Sequence, residues 1–279
     1  LLVYLDIYQL IMRNISLRVC LIGAGNVATQ LGAALRQASC QIVGVYSRTY
    51  SHAAQLAQQL VCNYPFDVIE QLPVADICLF AVKDDVLPSL VKLVAQCKES
   101  AGALFIHTAG SVPLAVLSEQ VGRAAVLYPM QTFSKQRAVS FAHLPLFIEA
   151  STTEALAVVR GLASSLSDQV TELTSEQRKM LHLAAVFACN FSNHCYALAA
   201  ELLAKEHINP DCLLSLIDET AQKVHEMPAV PAQTGPAVRW DESVMARHLE
   251  LLQDNPALQQ VYQVLSKSIH QLHHDSIRS

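Results

Sequence analysis

The sequence predicts an α/β domain with a doubly wound, mostly parallel sheet, followed by an all-α domain. Three observations carry this. Short apolar runs alternate with helical patterns through roughly the first 150 residues, as in successive βαβ units. A glycine-rich turn, Gly23-Ala24-Gly25-Asn26-Val27-Ala28, joins the first apolar run to a helical segment. From residue 175 to 206 the chain is rich in Ala and Leu and contains neither Pro nor Gly.

The elements follow in order. Strands are expected at 18–22, 41–47, 77–81, 103–108, 124–129 and 145–150, with helices at 29–37, 51–60, 86–97 and 153–166 and a short strand near Val170. The long helical stretch at 175–206 and a helix at 211–226 come next. A Pro-rich break over 227–236 precedes helices at 242–253 and 256–270. Asp241 and Asn255 are the expected N-caps of these last two, and Pro256 suits a first helical position. The reading places a nucleotide-binding domain at 15–172 and a helical domain at 173–279.

Composition narrows the function classes. The 279 residues are 52% hydrophobic and 15% charged, which suits an extensive core. The formal net charge of −5, without a Lys/Arg cluster, argues against nucleic acid as a partner. No apolar run approaches the roughly 20 residues that span a bilayer, so no membrane association is expected. Eight cysteines show neither a CxxC nor a zinc pattern; Cys20, Cys40 and Cys78 lie in or beside strand-like runs. Reduced cysteines and a cytoplasmic location are the expectation. Residues 1–11 lack a basic n-region and a cleavage site, and Met12 is read as the natural start.

The turn at 23–28 has the chemistry of a Rossmann dinucleotide site. Gly23 permits a tight turn, Gly25 lets backbone approach a pyrophosphate, and Ala28 allows close helix–strand packing. Gly23, Ala24, Gly25, Asn26 and Val27 are therefore cofactor-binding candidates. NAD-specific domains carry a carboxylate at the end of the second strand, to hold the ribose 2′-hydroxyl. Here that strand runs into Ser47, Arg48 and Thr49. An arginine can pair bidentately with a 2′-phosphate, which points to NADP(H) with Ser47 and Arg48 as ligands.

Three further motifs are more specific: Tyr128-Pro129-Met130-Gln131-Thr132-Phe133, the stretch 182–194 containing His182, Asn190, Asn193 and His194, and the stretch 233–239 ending in Arg239. With these in place, the chain from Met12 onward resembles the group of β-hydroxyacid dehydrogenases, ketopantoate reductases and pyrroline-5-carboxylate reductases. More closely, it resembles Rossmann-like NADP oxidoreductases that carry a C-terminal helical domain of unknown function. The resemblance implies hydride transfer to or from a small carbonyl or imine substrate at the cleft between the domains. It also implies a homodimer built through the C-terminal helices, whose apolar faces exceed what one small domain can cover.

Site residues carry over by position. Ala81, Val82 and Lys83 correspond to the loop beside the cofactor ribose, while His107 to Ser111 and Met130 to Thr132 correspond to substrate-lining segments. Each of these segments also follows a strand-like run, at the carboxyl ends of what would be parallel strands. Hydroxyacid dehydrogenases use a catalytic Lys on the interdomain helix, with which neither Arg178 nor Lys179 aligns. His182 is the candidate acid, sharing a helical face by i, i+4 spacing with Asn190 and Asn193 as orienting donors. A structural hydrogen-bond network is the alternative for that face. His107 suits either a proton donor or a structural strand-end residue, and Arg239 either a substrate carboxylate or a surface ion pair. His270, His273 and His274 have metal-site spacing but are read as a surface cluster, and no metal is expected. The competing functions are a non-catalytic dinucleotide sensor or scaffold and a deazaflavin-dependent NADP oxidoreductase.

Overall fold

The structure, a computed structural model, describes residues 16–278, with side chains to Asp275. Met12 and residues 1–11 lie outside the described residues. The chain divides into two compact units, one reaching Cys189 and the other beginning at Asn190.

The first unit is built on one eight-stranded sheet in the order β3-β2-β1-β4-β5-β6-β7-β8. Its strands are β1 (Arg18–Ile22), β2 (Gln41–Tyr46), β3 (Pro65–Phe66), β4 (Ile77–Phe80), β5 (Leu104–His107), β6 (Ala124–Pro129), β7 (Leu146–Ala150) and β8 (Val170–Glu172). Pairings are parallel except β6 with β7, where Tyr128 faces Phe147 and Val126 faces Glu149. The short β3 escaped the sequence reading because two residues carry no periodic signal.

Strand alternation fills two cores. Val19, Leu21, Ile77, Leu79, Leu104 and Ile106 point to one face. There they meet helices α1 (Asn26–Gln37), α2 (Tyr50–Gln59) and, further along the sheet, α5 (Thr153–Leu166). Cys20, Ile22, Cys78, Phe80 and Phe105 point to the other face, toward α3 (Leu87–Ala95) and α4 (Ala115–Ser118). Covering both faces explains why the central strands read as unbroken apolar runs. Each large side chain so buried contributes about 1.5–3 kcal/mol. Because the covering helices change face between β1 and β4, the strand ends there diverge into a crevice.

Helix α6 (Ser175–Ala185) also belongs to the first unit. It opens with a capping box: Thr174 accepts from the Gln177 N–H, and the Gln177 side chain accepts from the Thr174 N–H. Arg178 is buried and ion-paired to Glu149 on β7, and the Ser175 hydroxyl donates to the same carboxylate. This pairing ties the start of the helix to the sheet. The helix expected over 175–206 is not uniform. A π-helical segment, Val186–Phe191, interrupts it before α7 (Ser192–Lys205).

The second unit is helical, continuing with α8 (Leu214–Glu226), α9 (Ala229–Ala232), α10 (Pro236–Arg239), α11 (Glu242–Leu251) and α12 (Pro256–Arg278). Asp241 caps α11 by accepting from the Val244 N–H, and Asn255 accepts from the Leu258 N–H at the start of α12. A His248 Nδ1–Tyr262 Oη bond of 2.8 Å joins these two helices. No side chain of α7 or α8 is fully buried. Among the described residues, no helix is long and apolar enough to cross a membrane.

Candidate functional site

The glycine turn lies between β1 and α1. Gly23 has φ +124°, its N–H donates to the Tyr46 carbonyl at 2.9 Å, and a Cβ there would strike the Ala81 carbonyl. Only glycine satisfies both the dihedral and the close approach to the end of β4. Gly25 is the N-cap of α1 and supplies no side-chain cap; no acidic residue occupies the first turn. A Cβ on Gly25 would meet nothing within 4 Å. The first-turn N–H groups of Asn26 and Val27 lie at the positive end of the helix dipole with no side-chain cap, which fits a pyrophosphate.

The end of β2 bears no carboxylate. Arg48 is exposed and makes no ion pair among the described residues, and the Ser47 hydroxyl accepts from the Thr49 N–H at 3.3 Å. These residues fit a 2′-phosphorylated ribose. Ala81 is buried at the end of β4, while Val82 is half-buried and Lys83 exposed beyond it.

The segment after β6 is strapped to this helix. The Asn26 side chain donates to the Phe133 carbonyl at 2.9 Å. Gln30, buried one turn further on, donates to the carbonyls of Ser134 (2.7 Å) and Arg137 (3.0 Å) and accepts from the Val139 N–H (3.2 Å). Met130 is half-buried, and Gln131 and Thr132 are exposed just ahead of the strap.

A second polar group forms at the ends of β5 and β6. Tyr128 Oη lies 3.1 Å from His182 Nδ1, with the rings edge-on at 6.0 Å. Tyr128 is backed by Phe147 across the antiparallel pair. Gly110 lies against the imidazole, where a Cβ would come within 2.6 Å of Nδ1. One turn before His182, Arg178 holds Glu149 and donates to the Val112 carbonyl at 2.6 Å. The Ser111 hydroxyl donates to Asp84, joining the loops after β5 and β4.

His107 closes β5 at 0% exposure. Burial first, and then the nearby Arg178 charge, push its pKa down to about 3, with the Pro113 carbonyl opposing. Its Nδ1 accepts from the Ala109 N–H at 3.2 Å, and its Nε2 has no hydrogen-bond partner. Of its two sequence readings, the geometry supports the structural one: so enclosed a ring cannot touch a substrate.

The structure brings His182 together with Tyr128 and Gly110. Asn190 lies on the π segment and Asn193 on α7, both exposed and both in the second unit, as is Arg239 at the end of α10. The uniform i, i+4 face expected from His182 through Asn190 to Asn193 is corrected by the π turn, whose i→i+5 bonds change the angular spacing. Sequence reasoning missed Arg178, Glu149 and Asp84 as parts of this network, and Gly110 as its floor. A cationic residue in the first turn of a capped helix was the available signal for Arg178. Among the described residues, no three His, Cys, Asp or Glu side chains are grouped to hold a metal ion. His270 instead packs its ring against Trp240 and His274.

Sheet order and glycine turn define a Rossmann-type α/β protein with a helical second unit. The description "Rossmann-like domain" matches residues 8–130, and "domain of unknown function (DUF2520)" matches residues 144–269. None of the curated proteins is similar in sequence to the chain. The crystal structure of a provisionally assigned NADP oxidoreductase from Bacteroides fragilis is 49% identical, with a TM-score of 0.88, covering 92% of this chain and 98% of that one. A protein from Thermotoga maritima matches at 18% identity and TM-score 0.68, over 94% of this chain and all (100%) of its own. Pyrroline carboxylate reductase from Plasmodium falciparum, with NADP bound, matches in fold at 13% identity and TM-score 0.56, over 92% and 99%. The chain belongs to the family of Rossmann-like proteins that carry a DUF2520 domain.

Proposed function

We propose that the protein is an NADP(H)-dependent oxidoreductase acting on a small carbonyl or imine compound. The observation that carries this is the Tyr128–His182 pair at the carboxyl ends of β5 and β6, in the same unit as an uncapped glycine turn. The name of the Bacteroides fragilis relative supports the cofactor and the reaction class. NADP(H), when bound, supplies or accepts the hydride. Gly23, Ala24, Gly25, Asn26 and Val27 would hold its pyrophosphate, Ser47 and Arg48 its 2′-phosphate, and Ala81, Val82 and Lys83 its ribose.

His182 is the donor that meets the negative charge developing on the substrate. Asn190 and Asn193 orient the acceptor, Ser111, Met130, Gln131 and Thr132 line the substrate position, and Arg239 takes a substrate carboxylate. The functional division at residues 172/173, a cytoplasmic location and a homodimer through the C-terminal helices belong to the same reading. Free cysteines throughout support a reducing compartment.

The test combines cofactor binding with turnover. NADPH is expected to bind at least tenfold more tightly than NADH, and Arg48→Ala to remove about 1–3 kcal/mol of that preference. NADPH oxidation with a panel of oxo acids and cyclic imines should show turnover that His182→Gln reduces about a hundredfold or more. Tight NADPH binding without turnover across the panel overturns the enzyme reading in favour of a dinucleotide sensor.

A further inference from the structure

We propose that Tyr128 is the positioning residue of His182: its hydroxyl fixes the imidazole as the Nε2–H tautomer, so that a hydrogen-bond donor always faces out of the strand-end cluster. The catalytic consequence rests on the oxidoreductase reading above; the tautomer itself does not.

The geometry leaves one arrangement. The two ring nitrogens of His182 have different surroundings. Nδ1 lies 3.1 Å from Tyr128 Oη, and Nε2 has no partner among the described residues and is not enclosed by protein. Tyr128 is nearly buried, and Nδ1 is the one side-chain or backbone acceptor within reach of its hydroxyl among the described residues. Were Nδ1 to carry the proton in the neutral ring, the phenolic hydrogen would be left in a mostly buried position without a protein acceptor. Such an orphaned donor is unfavourable. Hence the Tyr128 O–H donates, Nδ1 accepts, and the neutral ring carries its proton on Nε2. Burial raises the Tyr128 pKa, with Arg178 opposing, which keeps the phenol a donor.

Neighbours on several sides hold the half-buried ring at this bond. Gly110 forms the floor beneath it, so close that a Cβ would overlap Nδ1 and Cγ. Tyr128 packs edge-on against the ring and is braced from behind by Phe147. Arg178, one turn earlier on α6, fixes the helix through Glu149 and the Val112 carbonyl. If the ring gains a second proton, Nδ1–H donates to the Tyr128 oxygen and Nε2–H stays in place. In both states the outward nitrogen is a donor. That suits a site that meets negative charge growing on a carbonyl oxygen or imine nitrogen, the direction of reduction.

The test is a two-bond ¹H–¹⁵N correlation spectrum of the full chain labelled with [¹⁵N]histidine, with His182 assigned by the signals lost in His182→Gln. The neutral His182 ring is expected as a single Nε2–H tautomer, and Tyr128→Phe is expected to give a mixture of both. Phe keeps the ring packing, and an unchanged melting temperature verifies that the variant is folded. Turnover of Tyr128→Phe should fall about tenfold in kcat with KM for NADPH unchanged, the effect of one net hydrogen bond. A wild-type Nδ1–H tautomer, or the same tautomer in both proteins, overturns this proposal and leaves the oxidoreductase reading standing. A shifted tautomer with unaltered turnover upholds the positioning role and removes His182 from the catalytic step.

Discussion

His107 sits at the end of β5 with its imidazole enclosed and its pKa near 3, against about 6.5 for a free histidine. The buried ring is neutral, so between those two values the unfolded chain binds a proton that the folded protein does not. Stability is then complete above about pH 6.5 and falls as the pH drops below it, by about 1.4 kcal/mol per unit from this group alone. Urea unfolding at pH 6.5 and pH 5 should therefore show about 2 kcal/mol more acid loss in the wild type than in a folded His107→Gln variant. Equal losses would contradict the burial argument. The sequence located His107 at a strand end, but its role depends on the Arg178 charge and on enclosure from both sides. The charge comes from a helix that follows some 70 residues later.

Helix α6 is the element that turns a nucleotide-type sheet into a candidate active site. Its capping box was available in the residues Thr174 and Gln177, and its start was read correctly from the pattern. The Arg178–Glu149 pair that ties it to the sheet was not legible, because it links positions 29 apart and has no local signature. With Arg178 at 1% and Glu149 at 19% exposure, removing one partner leaves a charge poorly solvated. Arg178→Met should cost about 3–5 kcal/mol in chemical denaturation. The double variant Arg178→Met/Glu149→Gln should cost less than the sum of the two single changes. Strict additivity would mean that the two side chains do not act as a pair. The π segment was equally hidden: Val, Phe, Ala, Cys and Asn are compatible with an ordinary α-helix, and only the i→i+5 bonds distinguish it.

For the molecule as a whole, the sheet was largely legible because short apolar runs alternating with helical patterns, and the glycine turn, are strong local signals. The antiparallel β7 was not, since strand direction is set by how the chain returns to the sheet edge. The second unit shows where a single chain falls short of covering itself. Leu214, Leu216 and Val224 on α8 are all more than half exposed, and no residue of α7 is buried. This exposed apolar surface is the basis of the homodimer proposal. Light scattering coupled to size-exclusion chromatography should give the mass of two chains at micromolar concentration, and Leu216→Glu should shift it toward that of one. A wild-type monomer under the same conditions would end the homodimer proposal.

The Gln30 strap also bears on how this family can vary. Anchors at Ser134, Arg137 and Val139 leave at most two residues between successive tethers. The segment has no slack to absorb an added or deleted residue. The length of this loop and the identity of residue 30 therefore form a single heritable unit. A relative that gains a residue there must abandon the glutamine and re-anchor its loop by other means, whereas the exposed turn at 119–120 can drift in length at little cost.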